Sequence, residues 1–139
     1  MKGFTLVEIL IVVIILGILA AIVIPQFTEA SNNARESSLV SDLQTVRSQL
    51  ELYKVQHLDA YPAAATFVTQ LTTKTTSAGA ANGTLGPYLQ TFPTNPYNDK
   101  ATVEVEAGTD GTGNNSHGWH FDTDLGRFSA DDNATHAAW

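Results

Sequence analysis

Oxygen-bearing side chains are concentrated near the C-terminus of the chain. The set consists of Asp122, Asp124, Asp131, Asp132 and Asn133. Hard cations are bound by several converging carboxylate and carbonyl oxygens, so this set predicts a calcium site. A calcium loop that opens Asp-x-Asp would carry Glu at its twelfth position, where this chain has Asn133. The alternative is that Asp122 and Asp124 only form the turn of a β-hairpin, and both interpretations stay open.

The histidines do not show the spacing of a transition-metal site. They are His57, His117, His120 and His136. His117 and His120 are three residues apart, which places them on opposite faces if that stretch is a β-strand. The chain also lacks the strand–turn–helix motif that presents a nucleophilic serine. We therefore expect no catalytic residues and no enzymatic activity, and calcium is the one cofactor that the residues suggest.

A single carboxylate, Glu8, lies at the start of a strongly apolar stretch near the N-terminus. The uncharged interval between Glu8 and Glu29 is 20 residues, which is long enough to cross a bilayer as a helix. A carboxylate inside such a helix costs about 2.5–3.5 kcal/mol on insertion scales, so a cationic partner is expected. Lys2 is the one basic residue that precedes it. Pro25 follows the run and predicts a helix bend, because proline removes a backbone donor.

Beyond Pro25 the apolar residues become periodic. They recur every three or four positions, at Leu39, Leu43, Val46, Leu50 and Tyr53. This spacing is typical of one helix face that packs on a partner surface. We predict one helix from about Phe4 to Leu58, whose second half is the floor of a C-terminal domain. A short helix over residues 67–71 and a surface loop over residues 72–83 are expected to follow.

The last third of the chain predicts a small sheet. Residues 102–106 alternate between valine and glutamate, which is the pattern of a half-buried strand. Residues 117–121 and 127–130 flank residues 122–126 and predict a β-hairpin with Gly126 near the position that needs positive φ. The expected fold class is therefore α+β, a long N-terminal helix with an apolar first half packed on a small antiparallel sheet of about three strands.

Composition restricts the class of function. The chain has 139 residues with 14 acidic and 7 basic side chains, and it has no cysteine. Since no cluster of lysine and arginine is present, we expect no binding of nucleic acid. Disulfides are excluded. A C-terminal domain of this size must then be stabilised by packing on the helix or by a bound ion.

The N-terminal residues resemble those of a known family. Positions 2–8 read Lys-Gly-Phe-Thr-Leu-Val-Glu, and with the apolar run they resemble the N-terminus of type IV pilins and type II secretion pseudopilins. The resemblance implies that a prepilin peptidase cleaves between Gly3 and Phe4 and that the new Phe4 amine is methylated. Residues that are four positions apart on a helix lie on the same face. The freed amine of Phe4 is therefore a candidate partner for Glu8, within one chain or between chains.

Landmarks farther along the chain resemble the major pseudopilins of type II secretion in particular. In order they are Leu52-Tyr53-Lys54, Tyr61-Pro62, Gly86-Pro87-Tyr88-Leu89 and Asn95-Pro96-Tyr97. The resemblance implies a leader at 1–3, a transmembrane and filament-core helix at 4–27, and a head domain at 28–139 whose helical part is 28–58. It also implies calcium binding in a C-terminal loop.

The function that the resemblance implies is structural. The subunit is expected to span the bacterial inner membrane once, with its head outside the cytoplasm, and to polymerise into a periplasmic or surface filament. Glu8 and Phe4 would direct assembly. Expected partners are further copies of the chain, the prepilin peptidase, the inner-membrane assembly machinery, minor pseudopilins and membrane lipid. One alternative is a type IV pilus subunit for adhesion or motility, and another is a monomeric membrane-anchored domain that binds calcium or another ligand.

Overall fold

The computed structural model describes residues 3–139, so Met1 and Lys2 of the expected leader lie outside the described part. The elements are α1 (Leu6–Gln56), a 3₁₀ turn (Ala64–Thr66), α2 (Phe67–Thr72), β1 (Val103–Glu106), β2 (Trp119–Asp122), β3 (Arg127–Ala130) and α3 (Ala134–Ala137). The chain divides into two compact units, Met1–Glu36 and Ser37–Trp139. The predicted α+β class, with a long apolar N-terminal helix and a three-stranded sheet, is confirmed.

The first unit contains the apolar part of α1. Its most apolar 18-residue window has a mean hydropathy of 3.3, and none of that window is buried. Within the described residues, α1 is thus long and apolar enough to cross a membrane, by length and composition. Pro25 lies inside the helix, which continues through it, and the hydroxyl of Thr28 donates to the carbonyl of Ile24 at 3.1 Å. The bend expected at Pro25 stays a prediction.

The second unit is built on the later part of α1. The five periodic residues of the predicted face are each at most 2% exposed, so this prediction is confirmed. They share one core with aromatic side chains of α2 and the hairpin, namely Phe67, Trp119, Phe121 and Phe128. The short second helix expected over residues 67–71 is also present, as α2.

The sheet has the strand order β1-β2-β3, and its hairpin agrees with the prediction. β2 and β3 are antiparallel, with Asp122 opposite Arg127, and Gly126 has a φ of 66°. The expectation of an antiparallel sheet is wrong for the other pair, because β1 runs parallel to β2. The physical reason is the connection, residues 107–118. Parallel strands need a crossover of about a dozen residues, and this connection is long enough to return the chain to the same end of the sheet.

The segment expected as a surface loop, residues 72–83, is partly buried. Thr75 is 1% exposed, and its backbone N–H donates to the carbonyl of Leu85 at 2.9 Å. Its hydroxyl lies 2.9 Å from Nε2 of His57, whose ring stacks on Tyr53. Composition alone suggested solvent exposure here, but these contacts hold Thr75 against the helix floor.

Candidate functional site

The N-terminus of α1 is closed by reciprocal hydrogen bonds between Thr5 and Glu8. The backbone N–H and the hydroxyl of Thr5 both donate to Oε2 of Glu8 at 2.8 Å. In return, the backbone N–H of Glu8 donates to Oγ1 of Thr5 at 3.2 Å. This is a capping box, which satisfies donors that the first helical turn leaves without partners.

The capping box holds the carboxylate of Glu8 beside the start of the helix, close to the predicted processing residues. Gly3 and Phe4 precede the helix, and Phe4 is 83% exposed. Sequence reasoning singled out Glu8 but missed Thr5, although Thr at one position and Glu three positions later is a recognisable capping signal. The expected pairing of Glu8 with a freed Phe4 amine stays a prediction, because Gly3 still precedes Phe4 in this chain.

The surface that follows is continuously apolar. Every large apolar side chain between Phe4 and Phe27 is 43–83% exposed on the single chain. An exposed apolar surface of this extent marks a region that contacts a membrane or another protein. It has no polar face, so the helix is suited to lipid or to a core of apolar helices.

Of the acids proposed for calcium, Asp122 and Asp124 lie in the β2–β3 turn. Oδ1 of Asp122 accepts from the backbone N–H groups of Gly108, Asp124 and Leu125 at 2.8–3.2 Å. Burial by itself raises the pKa of Asp122, but the three backbone donors, together with His120, outweigh it and hold the pKa below its ordinary value. This is how an aspartate stabilises a turn, which is the alternative that the sequence left open.

The remaining acids lie at the other end of the hairpin. Asp131 accepts from the backbone N–H groups of Asn114 and His117 at 3.2 and 2.9 Å. Asp132 accepts from Asn95 at 3.0 Å and lies 2.5 Å from Nδ1 of His136. Asn133 caps α3 by accepting from the backbone N–H of His136.

The hairpin therefore separates the five candidate ligands. Asp122 lies opposite the first residue of β3, whereas Asp131 follows its last residue. A four-residue strand is about 13 Å long, so the two groups of acids do not converge on one ion in this structure. Calcium binding by this set stays a prediction that the geometry does not favour.

A different group of side chains does come together. Glu104 of β1, His117 and Asp131 place metal-ligating atoms within 4.8 Å of one another. The expectation that His117 and His120 lie on opposite faces of one strand is wrong, because β2 begins only at Trp119. Both imidazoles approach the carboxylate of Glu104, with Nδ1 at 3.9 Å for His117 and 3.6 Å for His120. Sequence spacing could not find this group, since its members come from three parts of the chain.

Arg47 links the helix floor to the end of the chain. Its Nε and Nη2 donate to the carbonyl of Phe128 at 2.9 and 2.7 Å, and Nη2 also donates to the carbonyl of Trp139 at 2.6 Å. Burial, helped by the neighbouring Arg127, lowers the pKa of Arg47, yet a guanidinium stays charged near neutral pH. This role could not be read from the sequence, because the carbonyls of Phe128 and Trp139 lie 81 and 92 positions from Arg47.

Two family models match this chain, one at its N-terminus and one over most of the remainder. Residues 26–115 match the family model described as type II secretion system (T2SS), protein G, and residues 1–24 match the prokaryotic N-terminal methylation motif. No solved structure matches the chain.

Relatives support the same family. The type II secretion system core protein G of Vibrio cholerae serotype O1 is 31% identical over 85% of this chain and 91% of its own length. The core protein G of Pseudomonas aeruginosa is 35% identical over 69% of this chain and 68% of its own length. The core protein G of Escherichia coli K12 is 32% identical over 73% of this chain and 71% of its own length. The chain therefore belongs to the protein G family of the type II secretion system.

Proposed function

We propose that this chain is a structural subunit that polymerises through its N-terminal helix into a pseudopilus filament for type II protein secretion. The observation that carries the proposal is the exposed apolar helix surface from Phe4 to Phe27 in a chain of this family. A single chain leaves this surface to lipid, and a bundle of equivalent helices would bury it again. The role is mechanical, and we expect no catalytic activity.

Processing would convert the chain from a membrane precursor into an assembly-competent subunit. A prepilin peptidase would remove the leader, residues 1–3, by cleaving between Gly3 and Phe4, and the amine of Phe4 would be methylated. The match to the N-terminal methylation motif supports this step. The transmembrane and filament-core segment would be 4–27, with the head, 28–139, outside the cytoplasm.

The geometry at Glu8 suggests how subunits could select their register. A carboxylate offers about four lone-pair positions, and Thr5 uses Oε2 for both of its donors. The carboxylate is thus held in one orientation while retaining capacity for an ammonium group. The Phe4 amine of an adjacent subunit would fit that requirement, and such a pair would fix the axial offset between neighbouring helices.

The remaining partners follow from the family. Inner-membrane assembly machinery would extract subunits from lipid, and minor pseudopilins would share the filament. Pro25 would allow the helix to adjust as it leaves the membrane. Secretion of folded proteins would depend on the growth of the filament.

The test separates the charge of Glu8 from its capping role. Glu8→Gln keeps an oxygen that can accept from Thr5 but removes the charge, whereas Thr5→Val removes the two capping hydrogen bonds of the hydroxyl and keeps the charge. In cells that carry the secretion machinery, we expect Glu8→Gln and Glu8→Ala to insert into the inner membrane at normal levels. Both should lose filaments and secretion, measured by shearing or immunofluorescence and by export of a substrate protein.

Thr5→Val serves as the matched control and should retain most assembly, because a capping interaction contributes only about 1 kcal/mol. Normal filaments and secretion from Glu8→Gln would contradict the role of the charge. Normal secretion from cells that lack the subunit altogether would contradict the proposed function itself.

A further inference from the structure

The polar face of the sheet holds a cluster of ligating side chains that the filament function does not use. Glu104 is central in β1, and the parallel register places it beside His120 of β2. His117 immediately precedes β2, and Asp131 immediately follows β3. The cluster therefore joins all three strands.

Hydrogen bonds from backbone N–H groups fix Asp131 beside His117. The N–H of Asp131 donates to the carbonyl of Gly118 at 3.1 Å, and the N–H of His117 donates to Oδ2 of Asp131 at 2.9 Å. Oδ1 of Asp131 accepts from the N–H of Asn114. These donors orient the carboxylate, as outer partners do for carboxylate ligands of metal ions.

His120 supplies an independent observation. Its side chain is 3% exposed, and Nε2 lies 2.7 Å from the carbonyl of Thr109. A carbonyl only accepts, so Nε2 must carry the hydrogen. In a neutral ring Nδ1 then carries a lone pair, and this buried atom has no hydrogen-bond partner within the described residues.

The unpartnered nitrogen points toward the cluster. Nδ1 of His120 is 3.6 Å from Oε2 of Glu104, which is too long for a hydrogen bond. A lone pair that faces a carboxylate at this distance is repulsive unless a cation lies between them. Histidine ligands of metals regularly donate their other N–H to a backbone carbonyl, as His120 does to Thr109.

We propose that Glu104, His117 and Asp131, together with His120, form a binding site for a divalent transition metal ion of the zinc type. Ligands about 2.0–2.1 Å from a tetrahedral ion are about 3.4 Å apart. The Glu104 carboxylate lies 3.6 Å from the imidazole of His120 and 3.9 Å from that of His117, which is close to this spacing. Mixed imidazole and carboxylate donors favour this class over calcium, which prefers oxygen alone.

The site is accessible and differs from the predicted calcium set, with which it shares only Asp131. The side chains of His117 and Glu104 are 36% and 28% exposed, so an ion can enter from that side. The hydroxyl of Ser116 lies 2.9 Å from Nδ1 of His117. This hydroxyl would rotate away when the ion binds, or the ion would replace it as the partner of Nδ1. A bound ion would connect β1 to the hairpin in a chain that has no cysteine.

The test uses the full-length chain in detergent micelles, purified without a histidine tag and stripped of metal by a chelator. Zinc chloride is titrated by calorimetry, and thermal unfolding is followed with and without zinc. We expect one zinc ion per chain and a rise in Tm, since a ligand that binds only the folded state stabilises it. Cobalt should give the visible absorption of a low-coordinate nitrogen and oxygen site.

Matched variants assign the ligands. Glu104→Gln should weaken zinc binding about tenfold or more and abolish the rise in Tm. Glu106→Gln removes the same charge from the same strand at an exposed position, and it should bind zinc within about twofold of the parent. His117→Asn, at the solvent-accessible edge, provides a second ligand change if Glu104→Gln does not fold, and it should weaken binding similarly.

Three results would overturn the inference. One is equal zinc affinity in the parent, Glu104→Gln and His117→Asn. Another is the absence of zinc binding to the parent. The third is a rise in Tm that depends on Glu104 and appears with calcium chloride but not with zinc chloride, which would contradict the proposed class of metal.

Discussion

Gly126 closes the β2–β3 turn in a position where a side chain is unfavourable for two reasons. Its φ of 66° lies in the left-handed region, which costs most residues about 1–2 kcal/mol. In addition, a Cβ at this position would overlap the hydroxyl of Tyr61. The positive φ was predictable from the hairpin pattern, but the contact with Tyr61 was not, since 65 positions separate the two residues in sequence.

We expect Gly126→Ala to lower the free energy of unfolding by about 2 kcal/mol or more, because strain and overlap add. The matched control is Gly108→Ala, which also has a φ of 66° but whose added Cβ would meet only Oδ2 of Asp124 at 3.3 Å. That variant should lose about 1 kcal/mol. Urea unfolding followed by tryptophan fluorescence measures both. Equal losses of unfolding free energy in the two variants would show that Tyr61 moves away from the added Cβ without destabilising the domain.

At the scale of elements, the C-terminal part of α1 acts as the floor on which the other elements pack. Its buried face follows from local periodicity, which is why Leu39 to Tyr53 could be identified from sequence. Strand direction is different, because alternation of valine and glutamate is the same in parallel and antiparallel strands. The direction of β1 was decided by the path of residues 107–118.

Arg47 is the polar link between this floor, β3 and the last residue of the chain. We expect Arg47→Lys to lower the free energy of unfolding by about 1–3 kcal/mol, because an ammonium cannot reproduce the fork that reaches both the Phe128 and Trp139 carbonyls. Arg127→Lys is the control. Arg127 is 55% exposed in its pair with Asp110, so this change should cost less than about 1 kcal/mol. If urea unfolding gave equal losses of unfolding free energy for Arg47→Lys and Arg127→Lys, the proposed role of Arg47 would be contradicted.

For the whole molecule, the proposed function requires that the apolar helix is retained after processing. We expect intact-mass measurement of the chain, expressed with a prepilin peptidase, to give a mature protein that begins at Phe4 and carries one methyl group. Gly3→Val should block cleavage and leave residues 1–3 attached. A mature N-terminus after Ala20 or Ala21 would instead identify an ordinary secretory signal peptide, and the filament proposal would fail.

The sequence by itself determined the features that depend on neighbouring residues. Helix periodicity, the uncharged interval after Glu8, the turn at Gly126 and the order of motifs were readable because their causes lie within a few positions of each other. They were sufficient for the fold class and the family.

Only the tertiary structure decided which distant groups meet. It separated the C-terminal acids because a hairpin strand lies between them, buried Thr75 beside His57, and brought Glu104, His117 and Asp131 together across three strands. Such contacts depend on strand direction and loop path. Strand direction and loop path arise from packing of the whole domain, so they cannot be predicted from local residue preferences.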